Sequence, residues 1–109
     1  MIHVVAVITA KPGQRAAILE HFRANVPAVR AEEGCIEYGA AVDADPALPF
    51  QKKWGDDTFL VIEKWESADA VQAHLDAPLM TEMARAAIPA LASKPTIDLY
   101  DSISAHDLT

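Results

Sequence analysis

The sequence predicts an α+β fold whose elements run βαββαβ, and three observations lead to it. Four short runs are rich in β-branched or aromatic residues. Two longer runs repeat apolar residues at three- and four-residue spacing. Gly, Pro and Ser stand where one pattern gives way to the next. The chain has 109 residues, 51% of them apolar, which is enough for one domain with a real core, so residues 1–109 are expected to form a single domain.

The elements follow in order. "IHVVAVIT" at 2–9 reads as a strand and stops at the Pro-Gly turn signal in "AKPG". From Gln14 to Glu33, the residues Ile18, Leu19, Phe22, Val26 and Val29 make one stripe of an amphipathic helix. Gly34 stands where a left-handed C-cap belongs, and Pro27 predicts a bend near Arg23 to Pro27. "CIEYGAAVD" at 35–43 is the second strand. Residues 44–57 form a long, Pro-containing connection, a candidate lid carrying Phe50 and Trp54, and "TFLVIEKW" at 58–65 is the third strand. Ser67 is placed to N-cap a second helix bearing Val71, His74 and Leu75. Pro78 breaks and restarts it, after which Leu79, Met80, Met83, Ala87 and Leu91 continue an apolar face. "PTIDLYDSIS" at 95–104 alternates as a fourth strand before a short polar tail.

Two helices crossing one face of a four-stranded antiparallel sheet give the split βαβ, ferredoxin-like arrangement. A solvated second sheet face would alternate apolar with polar residues, yet "HVVAV" and "FLVI" are apolar at both parities. A second copy covering that face resolves the conflict. The expectation is a two-fold homodimer packed sheet to sheet, a dimeric α+β barrel, with the C-terminal tail crossing to the partner.

Composition excludes several function classes. Formal net charge is −7 and the nine Lys and Arg are scattered, so neither nucleic acid nor an anionic membrane surface is an expected partner. No run approaches the roughly 20 apolar residues of a membrane span, and "MIHVVAVITAKPG" lacks the pattern of a signal peptide, so a cytoplasmic location is expected. The single cysteine, Cys35, cannot build a disulfide framework.

"EEGCIEY", then "FLVIEKWES", then "AVQAHL" resemble, in order and spacing, the antibiotic biosynthesis monooxygenase family of small dimeric ferredoxin-like proteins. The resemblance runs from the first strand through the second helix, and the fourth strand matches in general character. It implies a cofactor-free reaction of a quinol or other polyphenolic aromatic with oxygen, in an apolar pocket holding a base. Some oxygenases of the family and its haem-degrading branch place an asparagine in or near the pocket. The only asparagine here is Asn25, on the first helix, which argues against haem degradation and leaves the quinol-oxygenase branch as the best match.

The residues supply a chemistry of their own. Glu63 and Trp65 share a strand face with Phe59 and Val61, since side-chain period in a strand is two. An ionised, unpaired carboxylate there would cost several kcal/mol, so Glu63 needs a partner or a proton. His74 is the candidate, because its helix follows this strand directly and its position resembles the histidine of the family motif. A Glu63 to His74 hydrogen bond would fix the imidazole tautomer, with His74 as base and Glu63 as its orienter. The alternative is that the pair only pins the helix to the sheet. Trp65, Phe59, Phe22 and Tyr38 are the candidate pocket walls, although Tyr38 could equally be a core tyrosine with a satisfied hydroxyl. His21, on the flank of the first helix's stripe, could border the same pocket, and Arg85 could hold an anionic group of a substrate or lie in solvent. Gly34 and Cys35 read as structural. The four histidines show no metal-ligand spacing, and no nucleotide or flavin motif is present, so neither metal nor cofactor is expected.

Two other readings share this fold. An isomerase of a small hydroxylated or phosphorylated carbonyl compound would use the same histidine and carboxylate, and would need cations for phosphate. A non-enzymatic small-molecule-binding or stress-response dimer would have a closed core without a cavity.

Overall fold

A computed structural model of the chain describes residues 1–103. The elements are β1 (Ile2–Thr9), α1 (Arg15–Arg30), β2 (Cys35–Ala41), β3 (Thr58–Trp65), α2 (Ala68–Asp76), α3 (Pro78–Ala87), a single 3-10 turn (Ile88–Ala90) and β4 (Thr96–Asp101). The sheet order is β2-β3-β1-β4, with every neighbouring pair antiparallel. This is the ferredoxin-like α+β arrangement, with the second helix divided in two.

Each boundary has a local cause. Ser67 caps α2, its side chain accepting the Ala70 N–H at 3.2 Å. Pro78 stands at the first turn of α3, where its missing N–H costs nothing, and so restarts the helix as the sequence predicts. Pro27 lies inside α1, which continues through it to Arg30 instead of Glu33. Residues 31–34 make a tight turn instead, with Ala31 N–H bonded to Pro27 O and Gly34 at φ +83°. β2 stops at Ala41 because the Asp43 carboxylate turns to accept the backbone N–H groups of Trp54 and Gly55, at 3.0 and 2.9 Å, which ties the long loop together at its base. β4 is shorter than its sequence pattern, and the polar tail, with its expected crossing to a partner, falls at residues 104–109, outside the described residues.

Register fixes which residues face the helices. Pairing Val4 with Glu63, Ala6 with Val61 and Ile8 with Phe59 brings this set onto one face. An irregularity between Cys35 and Glu37 lets Cys35 pair with Trp65 and Tyr38 with Glu63, so Cys35 and Tyr38 point the same way although three positions apart. The core lies between this face and the inner stripes of α1 and α2, and contains Val4, Phe59, Val61 and Trp65 with Ile18, Phe22, Val29 and Val71. The opposite face carries Val5, Val7, Leu60 and Ile62 in its centre, with a Lys64 to Glu37 ion pair of 3.1 Å at its edge. Nothing among the described residues covers that face.

Candidate active site

The helices do not fill the space above the sheet. α1 packs Ile18 and Phe22 against it, but α3 buries none of its residues fully and lies over β1 and β4 at a distance. A cavity of about 250 Å³ remains between them, bordered by Val4, Ala6 and Val61 below, Phe22 and Tyr38 at one side, and Met80, Met83 and Ala87 of α3 above. Phe22 stacks on Tyr38 with ring centroids 5.0 Å apart and meets Phe59 edge-on at 6.2 Å, so the three rings form one continuous aromatic wall. The lining is apolar except for Glu63, Tyr38 and His21, and it includes no Lys or Arg.

Glu63 stands on this floor only 7% exposed. Its Oε1 accepts the indole N–H of Trp65 at 2.8 Å, an arrangement that follows from the two residues sharing a strand face. Burial is the largest influence on the carboxyl and holds its pKa above the ordinary carboxylate range. The Trp65 hydrogen bond and the charge of His74 pull the other way, and Glu32 adds to the rise.

His74 is 1% exposed, lying between the rings of Trp65, at a centroid distance of 4.7 Å, and Tyr38, at 5.7 Å. Its hydrogen bond does not go to Glu63 as the sequence reading expected. Nδ1 meets Glu32 Oε2 at 2.7 Å, whereas Nε2 faces Glu63 Oε1 at 3.8 Å, too long for a hydrogen bond. Two contacts cause the difference. Trp65 occupies Glu63 Oε1, and the turn at residues 31–34 brings Glu32 against α2. A carboxylate acceptor at Nδ1 assigns the ring hydrogen to that nitrogen. Nε2 is left buried, with no hydrogen-bond partner among the described residues.

Residues 1–86 match the sequence profile of the antibiotic biosynthesis monooxygenase family. The chain belongs to this family. YgiN of Escherichia coli K12, a probable quinol monooxygenase, is 42% identical over 82 residues, covering 73% of this chain and 78% of YgiN. Among solved structures, the NE2512 protein of Nitrosomonas europaea, of unknown function, superposes with a TM-score of 0.75 at 26% identity, over 95% of this chain and 90% of its own. PA3566 of Pseudomonas aeruginosa gives 0.75 at 26% identity, over 94% of each chain. Rv0793 of Mycobacterium tuberculosis gives 0.78 at 19% identity, over 94% of this chain and 95% of its own, a likeness of fold.

Within this family frame, the residues singled out in the sequence divide into three groups. Phe22, Tyr38, Phe59, His21 and Glu63 border the cavity. Trp65 and His74 stand behind its wall, fully buried, and touch it through Glu63. Arg85 is elsewhere, on the outer side of α3 beside Leu75, Thr81 and Ile88, because the inward stripe of that helix is Met80, Met83, Ala84 and Ala87. Phe50 is 85% exposed, and Trp54 packs under Lys52, with the ammonium 5.1 Å from the ring, so neither residue of the long loop covers the cavity. The element that does cover it is α3.

Glu32 was missed as a site residue. The sequence does carry a signal for it, because a left-handed Gly34 two residues on implies a close approach of this turn to another element. Cys35 and Tyr38 complete the surroundings. Burial and the charges of Glu32 and Glu63 hold both the thiol and the phenol above their ordinary pKa, so both are neutral. That state suits the structural reading of Cys35.

Proposed function

We infer that the protein is a cofactor-free monooxygenase acting on a quinol or a related polyphenolic aromatic. The observation that carries this reading is the setting of Glu63, the one carboxyl group among the described residues on a largely apolar cavity wall, backed by the buried imidazole of His74. Membership of the family and similarity to a probable quinol monooxygenase support it.

The chemistry that such a cavity favours is removal of a proton from a bound phenol. A flat aromatic ring fits between Phe22, Tyr38 and the methionines of α3, where apolar walls keep water from the reactive carbon. With its hydroxyl at Glu63, the substrate loses its proton to the carboxyl and imidazole pair. The resulting anion is electron-rich enough to pass an electron to oxygen without a resident cofactor. One oxygen atom then enters the ring in place of the hydrogen on the attacked carbon. The other leaves as water, made of that ring hydrogen and the proton that the base had held, while the quinol is oxidised to a hydroxyquinone and dioxygen is reduced. A phosphorylated carbonyl substrate is less well served, since no Lys or Arg lines the cavity to balance its charge. Family relatives acting as dimers also suit the uncovered sheet face, and the same dimer is proposed here.

The deciding test is oxygen uptake by metal-free, flavin-free protein against a panel of hydroquinones and polyphenols, with Glu63→Gln and His74→Ala in parallel. Saturable uptake that falls by about a hundredfold or more in both variants supports the reading. Uptake no faster than autoxidation across the panel moves the assignment to a binding module.

A further inference from the structure

Glu63 and His74 can accept a proton from a substrate, but both are buried, and a proton held in an apolar wall needs a way out. Glu32 supplies one. Its side chain is 23% exposed, against 1% for His74 and 9% for Glu63, so it is the most exposed of the three. The three groups lie in sequence from cavity to surface: Glu63, then Nε2 of His74 at 3.8 Å, then Nδ1 of the same ring, then Glu32 at 2.7 Å. The buried Nε2, with no hydrogen-bond partner among the described residues, faces along this line.

We propose that Glu63, His74 and Glu32 form a proton relay between the cavity and solvent, with Glu32 as its outer terminus and His74 exchanging tautomers at each passage. The relay rests on the proposed function for the source of its proton. In the outward direction the substrate hydroxyl gives its proton to one oxygen of Glu63, and the carboxyl passes a proton on to Nε2 of His74. The ring releases the hydrogen on Nδ1 to the Glu32 carboxylate, which gives it to water. The products are a bound phenolate, a Nε2–H imidazole and one proton in solution. The return passage, when an oxygen atom must leave as water, takes one proton inward and restores the Nδ1–H tautomer. The 3.8 Å gap closes by about 1 Å for transfer, as acid–base contacts commonly do once a substrate is bound. The other ionisable groups beside the line, Tyr38 and Cys35, are held neutral by burial and do not divert the proton. Arg30 lies at its edge, its Nε donating to the Tyr38 carbonyl at 3.2 Å.

The relay is tested with 4-nitrophenol, whose absorbance reports its own ionisation, in weakly buffered solution with an indicator dye. Wild-type protein is expected to bind the probe as phenolate and release a proton. Nitrogen-15 spectra are expected to show the His74 hydrogen on Nδ1 in the free protein and on Nε2 in the complex. Glu32→Gln keeps an acceptor for Nδ1–H but cannot carry the proton, and is expected to bind the probe while forming phenolate about a hundredfold more slowly. In Glu32→Ala, added formate is expected to restore the rate. Phenolate formation at the wild-type rate in Glu32→Gln overturns the relay. So does a wild-type complex in which His74 keeps Nδ1–H or carries both hydrogens, a measurement that needs no variant to fold, and so does wild-type protein that leaves the probe un-ionised. A working relay in a protein that consumes no oxygen with any quinol leaves the relay standing and removes the oxygenase reading. Oxygen consumption dependent on Glu63 with no tautomer exchange does the reverse.

Discussion

Gly34 and Ala70 approach so closely that a Cβ added at position 34 would lie 2.6 Å from the Cβ of Ala70. Gly34 is also at φ +83°, so any side chain there is opposed twice, by its own backbone and by α2. The contact matters because it sets the distance between the turn that holds Glu32 and the helix that holds His74. The Gly34 carbonyl fixes the third side of this junction by accepting the Glu66 N–H at 2.8 Å. Gly34→Ala is therefore expected to cost about 2–4 kcal/mol, the sum of backbone strain and overpacking against the Ala70 methyl group of α2. Urea denaturation measures it, and a loss below about 0.5 kcal/mol would mean that α2 shifts freely away from the turn.

Much of this arrangement was legible in the sequence, and what was not has a physical reason. The four strands, the stripe on α1, the cap at Ser67, the break at Pro78 and the turn at Gly34 each rest on a local signal, and local signals survive folding. Phe59, Val61, Glu63 and Trp65 share a buried face because a strand without irregularity keeps a period of two. The partner of His74 was not legible. Glu32 is 42 positions away and reaches the ring only because two elements pack at a glycine, which periodicity does not record. The cover of the cavity was misread for a related reason. A long loop containing two aromatic residues suggested a lid, but Asp43 anchors that loop to itself, leaving α3 to lie across the opening.

Glu63 should make stability depend on pH in a definite direction. Its carboxyl binds a proton more tightly in the folded protein than in the unfolded chain, since burial raises its pKa. The favourable contribution of the protonated group is complete below the ordinary carboxylate range and is lost as pH rises through the raised folded value. Glu63→Gln cannot ionise and escapes that loss. As pH rises above the ordinary carboxylate range, the wild-type protein is expected to lose stability relative to Glu63→Gln. Parallel denaturation curves across that rise check the sign, and a difference that shrinks with rising pH contradicts it.

The uncovered sheet face makes the prediction about assembly specific. Ile62 stands at the centre of β3 on the side away from the helices, 37% exposed in the single chain, with Leu60, Val5 and Val7 around it. Proteins rarely leave such a continuous apolar face in water, and a second copy supplies a matching one. The protein is expected to sediment as a dimer at micromolar concentration. Ile62→Arg, which puts a charge in the middle of that face, is expected to weaken association by about 2 kcal/mol or more while far-ultraviolet circular dichroism stays unchanged. A wild-type monomer at those concentrations would mean that the face is covered in some other way.

The volume beside Glu63 offers a separate handle on binding. Val61 is two residues before Glu63 on the same face, 4% exposed, and its side chain borders the cavity instead of meeting a packed neighbour on every side. A larger side chain here can grow into open volume, so the usual overpacking cost of about 1–3 kcal/mol is expected to be reduced. Val61→Phe should then fold with a melting temperature close to wild type while occupying the space a substrate ring would take. Turnover of any quinol substrate is expected to fall at least about tenfold, mainly through a higher KM, because the acid–base groups are untouched and only room is removed. Quinol turnover that is indifferent to Val61→Phe would mean that substrates bind outside this cavity, and Glu63 would then face a space with no part in the reaction.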